Sequence, residues 1–373
     1  MLRVMTIVGT RPEIIRLSRI IELFDRTFDH ILVHTGQNFD YELSQIFFDD
    51  LGIRKPDIFL EAAGATAATT IGQIIIATDE ALATHKPDAV LLLGDTNSCL
   101  AAISAKRKKI PIFHMEAGNR CFDFRVPEET NRRIVDSVSD INLTYSDIAR
   151  QYLLREGFPP DQVIKTGSPM REVLDFYRSK IEASKIHTAL GLQPTGYFLV
   201  SAHREETVDD EKSISRLISV LDFLGDSYGQ PIIVSTHPRT RRRIDELGLV
   251  ANPFVRFHKP FGFFDYVKLQ IEARVVLSDS GTITEESSIL DFPALNIREV
   301  HERPEGFEEA AVMMVGLNLD RIRDAIGILG SKSRGIDRST TLVRDYSATN
   351  VSEKVMKIVL SYTDFVNQRV WKK

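Results

Sequence analysis

Between residues 114 and 133 the chain reads HMEAGNRCFDFRVPEETNRR. An apolar run ends in small residues, and Glu116, Asp123, Glu128 and Arg132 then follow within a short distance. Surface helices often carry mixed charge of this kind, but the mouth of a strand usually does not. Upstream, the apolar run AVLLLGD (89–95) ends in Asp95. Carboxylates crowded together raise one another's affinity for a proton, so one holds a proton near neutral pH while another stays ionised. Asp95, Glu116 and Glu128 therefore form a candidate acid/base cluster. A plainer reading stands beside it. Asp95 caps the next helix, Glu128 and Glu129 favour a helix N-terminus, and Asp123 is a loop residue.

Other strand ends repeat the habit. Gly9-Thr10-Arg11-Pro12-Glu13 follows the first apolar run, and Gly36-Gln37-Asn38 follows the second. His203, then His237, then Asp279-Ser280-Gly281-Thr282 follow later ones. Arg11 offers the fixed fork of donors that suits a diphosphate, or it pairs with Glu13 or Glu116. His203 is either a general acid and phosphate partner or a hydrogen-bonded structural residue. His237 is open to the same two readings. In DSGTITEE (279–286), Ser280 and Gly281 can open a helix whose free N–H groups face an anion, with Glu286 placed to accept ribose hydroxyls. A capping box fits the same stretch. With acids and arginines elsewhere at the strand ends, the favoured ligand is a nucleoside diphosphate.

These residues need strands to carry them. RVMTIVG (3–9), HILVHTG (30–36), AVLLLGD (89–95), IPIFHMEA (110–117) and INLTYS (141–146) are nearly continuously apolar. Strands buried on both faces of a parallel sheet have this composition. Helical patterns separate them, so the reading is a doubly wound α/β domain over 1–167. Residues 168–195 are polar and helical and read as a linker. The alternation resumes with YFLVSAHR (197–204), PIIVSTHP (231–238), VRFHKP (255–260), RVVLSDSG (274–281) and PALNIRE (293–299), a second such domain over 196–350. A final amphipathic helix is expected within 351–373. Two similar α/β domains imply an active site between them, at the carboxyl ends of their strands.

The chain of 373 residues is 43% hydrophobic and 27% charged, with a net charge of −5. That balance argues against a general nucleic-acid or anionic-membrane binder. No apolar run approaches the length of a membrane span. The two cysteines, Cys99 and Cys121, form no CxxC and no zinc spacing. A reduced, cytoplasmic and metal-free protein is the expectation. GTRPEI is not a dinucleotide fingerprint, and GxxxxGK[ST] is absent, so neither a tightly held NAD nor a P-loop is expected.

Taken together, the motifs resemble those of the non-hydrolysing UDP-N-acetylglucosamine 2-epimerase family. The carriers are VGTRPEIIRL (8–17), HTGQN (34–38), GDT (94–96), HMEAGNR (114–120), PEETNR (127–132), SAHRE (201–205), SDSGTITEE (278–286) and ERPEG (302–306), in that order over nearly the whole chain. The resemblance implies a glycosyltransferase-B-like pair of Rossmann-type domains, with the last helix crossing back to the first. It implies acid/base roles for Asp95, Glu116 and Glu128, with His203 beside the diphosphate. Arg11, Ser280 and Gly281 would hold phosphate and Glu286 ribose, while Arg132, His237 and Arg303 would line the cleft. No cofactor is implied, the partner is a UDP-sugar, and a homodimer is common in the family. The glucosamine enzymes carry leucine where this chain has Asn119, and their loop in place of CFDFRV (121–126) is about two residues longer. HMEAGNRCFD, GSPMREVL and STHPRTR look instead like the branch that forms UDP-N-acetyl-L-fucosamine from UDP-2-acetamido-2,6-dideoxy-L-talose. Asn38 replaces a family histidine and bears on an activator site found in some glucosamine enzymes. The alternatives are the glucosamine epimerase itself, a glycosyltransferase on the same fold, and a nucleotide-sugar sensor.

Overall fold

The computed structural model describes residues 1–37, 47–202, 210–236, 238–249, 251–299, 302–330 and 333–373. His203, His237 and Asn38 lie outside the described residues.

The chain divides into two compact units, Met1–Asp175 with Asp345–Lys373, and Phe176–Arg344. In the first unit β1 (Arg3–Val8), β2 (Asp29–His34), β3 (Ile58–Phe59), β4 (Ala89–Leu93), β5 (Ile112–Met115), β6 (Ile141–Thr144) and β7 (Val163–Lys165) form one sheet, ordered β3-β2-β1-β4-β5-β6-β7. Every pairing is parallel. Its crossover helices include α1 (Arg11–Thr27), α2 (Ala67–His85), α3 (Ala102–Arg107), α4 (Pro127–Val138) and α5 (Asp147–Arg155), and α6 (Met170–Phe176) follows the last strand. α1 forms because Pro12 pre-sets its first turn and Ile14, Leu17, Ile21 and Phe24 recur at helical spacing, all buried.

The second unit repeats the plan. Its strands are β8 (Phe198–Ser201), β9 (Ile232–Ser235), β10 (Val255–His258), β11 (Val275–Ser278), β12 (Ala294–Asn296) and β13 (Met313–Met314), ordered β10-β9-β8-β11-β12-β13 and all parallel. Alternate residues of β8 serve opposite faces. Phe198 and Val200 pack with Ile214, Leu217 and Leu221 of α7 (Glu211–Tyr228), while Leu199 packs with Ile233, Leu269 and Val276. Leu269 belongs to α8 (Phe263–Glu272), and α9 (Ile283–Leu290) follows β11. A strand covered on both faces needs apolar residues at both parities, which is why these runs read as continuous. The last helix, α10 (Val351–Arg369), belongs to the first unit and lies against α1, with Val351, Val355, Val359 and Val366 buried.

All ten apolar runs expected as strands contain one. β3, β7 and β13 were not expected. Each has two or three residues at or next to a sheet edge, too short to leave an alternation or a run. The helical stretch after residue 168 is shared, with Met170–Asp175 in the first unit and Phe176 onward in the second. Among the described residues no helix is long and apolar enough to cross a membrane.

Candidate active site

In both sheets the chain turns back on itself at one place, between β1 and β4 and between β8 and β11. Ligands of doubly wound sheets bind at the carboxyl ends of strands beside such a reversal. In the first unit that place is the loop Gly94–Ser98 after β4.

β4 and β5 are neighbours in register, Leu93 beside Met115, and the Gly94 N–H donates to the Met115 carbonyl at 3.0 Å. Asp95 and Glu116 therefore leave the sheet side by side. Glu116 does so with φ +64°, a left-handed conformation that costs a side-chain-bearing residue on the order of 1–2 kcal/mol. An arginine meets each carboxylate. Arg132 of α4 donates twice to Asp95 Oδ2, from Nη2 at 2.6 Å and Nε at 3.0 Å. Arg16 of α1 donates to Glu116 Oε2, and Asn119 Nδ2 donates to Glu116 Oε1 at 3.2 Å. Two of the three acids of the expected acid/base cluster thus each meet an arginine.

Arg132 is itself fixed. It is almost fully buried, and its Nη1 donates to Glu129 Oε2 at 3.2 Å. Glu129 also accepts from the Cys121 N–H and from Arg133. Burial alone would raise the Glu129 pKa, but these donors hold it below the usual carboxylate range. Behind them Asp136 of α4, fully buried, accepts from Arg120 at 2.7 Å and lies 3.0 Å from His114 Nδ1. The His114 Nε2 lies 2.7 Å from the Gly94 carbonyl. Against the effect of burial, Asp136 and that carbonyl hold the His114 pKa above its ordinary value, and His114 in turn depresses Asp136. His114 thus lies between Asp136 and the carbonyl of Gly94, the residue before Asp95.

The Gly94–Ser98 loop is held from other directions too. Gln37 Oε1 accepts from the Ser98 N–H at 3.0 Å and the Ser98 hydroxyl at 2.9 Å, and Thr35 Oγ1 lies 2.7 Å from that hydroxyl. Asn131 donates to the Asp95 carbonyl and to Asn97. Gly9 passes so close that a Cβ there would come 1.8 Å from Ser98 Oγ, so only glycine fits. Glu13 accepts from Thr96 Oγ1 at 2.6 Å. Arg11, by contrast, is exposed, with its guanidinium 5.3 Å from the centre of the Phe47 ring.

In the second unit Ser280, Gly281 and Thr282 form a turn before α9, half-buried, with Ser280 Oγ 3.0 Å from Thr282 Oγ1. A Cβ on Gly281 would come 3.4 Å from Glu302 Oε2, an ordinary contact, so packing alone does not demand glycine there. Glu286 accepts from Gln270 of α8 at 2.6 Å. Arg303 is buried and lies 3.1 Å from Glu285, which is buried as well.

A family model described as UDP-N-acetylglucosamine 2-epimerase matches residues 22–360. The chain belongs to this family. A Methanocaldococcus jannaschii protein named UDP-N-acetylglucosamine 2-epimerase is 33% identical over 88% of this chain and 92% of its own length. A Pseudomonas aeruginosa protein named UDP-2,3-diacetamido-2,3-dideoxy-D-glucuronate 2-epimerase is 34% identical over 86% and 90%. The solved structure of UDP-N-acetylglucosamine 2-epimerase from Rickettsia bellii covers all of both chains at 52% identity and a TM-score of 0.93. The chain is an isomerase of the UDP-sugar 2-epimerase class, and its two parallel-sheet α/β units match the glycosyltransferase-B-like architecture of such enzymes.

In this epimerase the first unit brings Asp95, Glu116 and Arg132 to adjacent strand ends. Glu128, half-buried, lies in the first turn of α4. Arg16, Asn131 and Glu129 join the constellation and were not singled out from the sequence. Arg16 lies five residues beyond Arg11 in the same motif, and a helical wheel of α1 would have shown it on the buried stripe. Glu129 looked like a solvated first-turn acid, and only tertiary packing makes it the anchor of Arg132.

Proposed function

We propose that this epimerase inverts C2 of a UDP-2-acetamido sugar by eliminating and re-adding UDP, and that its substrate is UDP-2-acetamido-2,6-dideoxy-L-talose, giving UDP-N-acetyl-L-fucosamine. The observation that carries the chemistry is the pair Asp95 and Glu116 on neighbouring strand ends, each held by an arginine. C2 of an N-acetyl sugar has no adjacent carbonyl, so its hydrogen is barely acidic and direct deprotonation is slow. Elimination avoids a free carbanion. A carboxylate takes the C2 proton, the C1–C2 double bond forms, and the C1–O bond breaks with its electron pair going to the UDP phosphate oxygen. Re-addition reverses each transfer, with the proton delivered to the opposite face of C2. This needs a base, an acid and a firm hold on UDP.

Asp95, Glu116 and Glu128 share the proton transfers. Arg11, His203 and the Ser280–Gly281 turn stabilise charge on the diphosphate. Glu286 takes the ribose hydroxyls, and Arg132, His237 and Arg303 complete the substrate contacts. The L-talose reading rests on Asn119 and the short loop 121–126. In support, Asn119 is no bystander, because its amide touches Glu116. UDP-N-acetylglucosamine is the second reading, favoured by the names of the M. jannaschii and R. bellii relatives.

Steady-state turnover of Asp95→Asn and Glu116→Gln, with UDP binding followed in parallel, tests the chemistry. Turnover should fall by orders of magnitude while UDP still binds. Near-normal turnover in both variants would refute the acid/base assignment.

A further inference from the structure

Glu13 ends the GTRPE motif and lies at the first turn of α1, where an acid usually does no more than favour the helix N-terminus. Here it is 2% exposed. Its Oε2 accepts from the Gly9 N–H at 2.6 Å and the Thr10 N–H at 3.3 Å. Those bonds alone would be the returning half of a capping box. Its second oxygen departs from that pattern. Oε1 leaves the helix and accepts from Thr96 Oγ1 at 2.6 Å, 83 residues along the chain and next to Asp95.

We propose that Glu13 is a positioning residue that clamps the turn after β1 to the Asp95 loop, so that both are in place for proton transfer only while its carboxylate accepts all three donors. The proposal rests on the epimerase reading above for what Asp95 does. It does not depend on which sugar is bound.

Geometry makes the clamp sensitive to its own charge. As a carboxylate, Glu13 accepts from two N–H groups and one hydroxyl. Once protonated, one oxygen becomes a donor. Backbone N–H groups cannot accept from it, so the Thr96 hydroxyl would have to turn round. Burial pushes the Glu13 pKa up to about 7, against hydrogen bonds from Thr96, Gly9 and Thr10 that favour the ionised form. Among the described residues, the charged and titratable groups near it come from the Asp95 loop and from α1. Cys99, from the turn after Thr96, is buried, and its thiol is pushed well above its usual pKa by burial and then by Glu13 and Asp95. Asp95 is matched by Arg132. On α1 itself, Arg11 lies over Phe47 and Arg16 is engaged by Glu116.

Two variants separate a clamp from a merely structural acid. Glu13→Gln keeps the shape but can satisfy the Gly9 and Thr10 N–H groups only with its carbonyl, leaving its amide on Thr96. Thr96→Val keeps Glu13 and removes one donor to its ionised form. In the wild type, kcat should rise with pH through a transition near 7. Glu13→Gln should lose at least tenfold in kcat at pH 8, keep UDP affinity within about threefold, and lack that transition. Thr96→Val should keep the transition and move it to higher pH, a shift that simple loss of packing would not produce. Wild-type kcat and transition in Glu13→Gln would overturn the proposal.

Should the wild type turn over neither UDP-L-talose nor UDP-N-acetylglucosamine derivatives, the epimerase reading fails, and the clamp is then read from the Gly9 amide proton by NMR. A resonance that titrates near pH 7 in the wild type, with that titration absent in Glu13→Gln, upholds it. A pH-invariant Gly9 amide overturns it.

Discussion

Asn119 donates its side-chain amide to Glu116, and Arg16 holds the other carboxylate oxygen. A leucine at this position, as in the glucosamine branch, would leave Glu116 with one less donor to its charge. One hydrogen bond to a charged group is worth about 1.5 kcal/mol or more, so Asn119→Leu should lower kcat by roughly tenfold with little change in KM; unchanged kcat would show that the amide is not used. Glu13 gives a second prediction, on stability. Its folded pKa lies above the unfolded value, so its contribution is complete below pH 4.5 and is lost as pH rises through about 7. Relative to Glu13→Gln, the wild type should therefore lose stability across that window, by an amount on the order of 3 kcal/mol, and change no further above it. Urea titrations of both proteins at pH 5 and 8 measure the difference, and a constant difference would contradict it. Asp95 and Glu116 were legible from the sequence because each closes an apolar run. Arg16, Glu129 and Glu13 were not, because each sits on a helix where charge is ordinary. Their burial follows from which strands become neighbours, information that a single sequence does not carry.

The same limit operates on elements. Ten strands could be read because burial on both faces makes their sequences continuously apolar, whereas β3, β7 and β13 are too short to leave a pattern. The loops are a different case. GTRPE, HTGQ, HMEAG and PEETNR look like four separate motifs, yet each holds the Gly94–Ser98 loop. Glu13 holds Thr96, Gln37 holds Ser98, His114 holds Gly94, and Arg132 and Asn131 hold Asp95. Motif order along the chain did not reveal this, because the loop is where parallel strands from distant segments end together. In the second unit the element of interest is the turn from β11 into α9. If Ser280 and Glu286 bind nucleotide as proposed, replacing both by alanine should weaken UDP binding by tenfold or more, as read by calorimetry. Glu286 also accepts from buried Gln270, so a thermal scan of the same variant should accompany the titration. Unchanged UDP affinity would remove this turn from the account.

For the molecule as a whole, the near-neutral composition and net charge of −5 bounded the class of ligand, and the twofold recurrence of strand and helix patterns foretold two parallel-sheet units. Sequence and fold together establish the family and the kind of reaction. In the function proposed here, the configuration of the sugar turns on a handful of residues around Glu116. The measurement that tests the central claim most directly is proton NMR in D₂O without added cofactor, with UDP-2-acetamido-2,6-dideoxy-L-talose and UDP-N-acetylglucosamine offered separately. Elimination and re-addition predict deuterium at C2 together with a new C2 epimer, and the reading of Asn119 and its loop predicts this from the L-talose substrate alone. Turnover of the glucosamine substrate alone would contradict the role given to Asn119 and its loop, and no exchange with either would contradict the elimination mechanism itself.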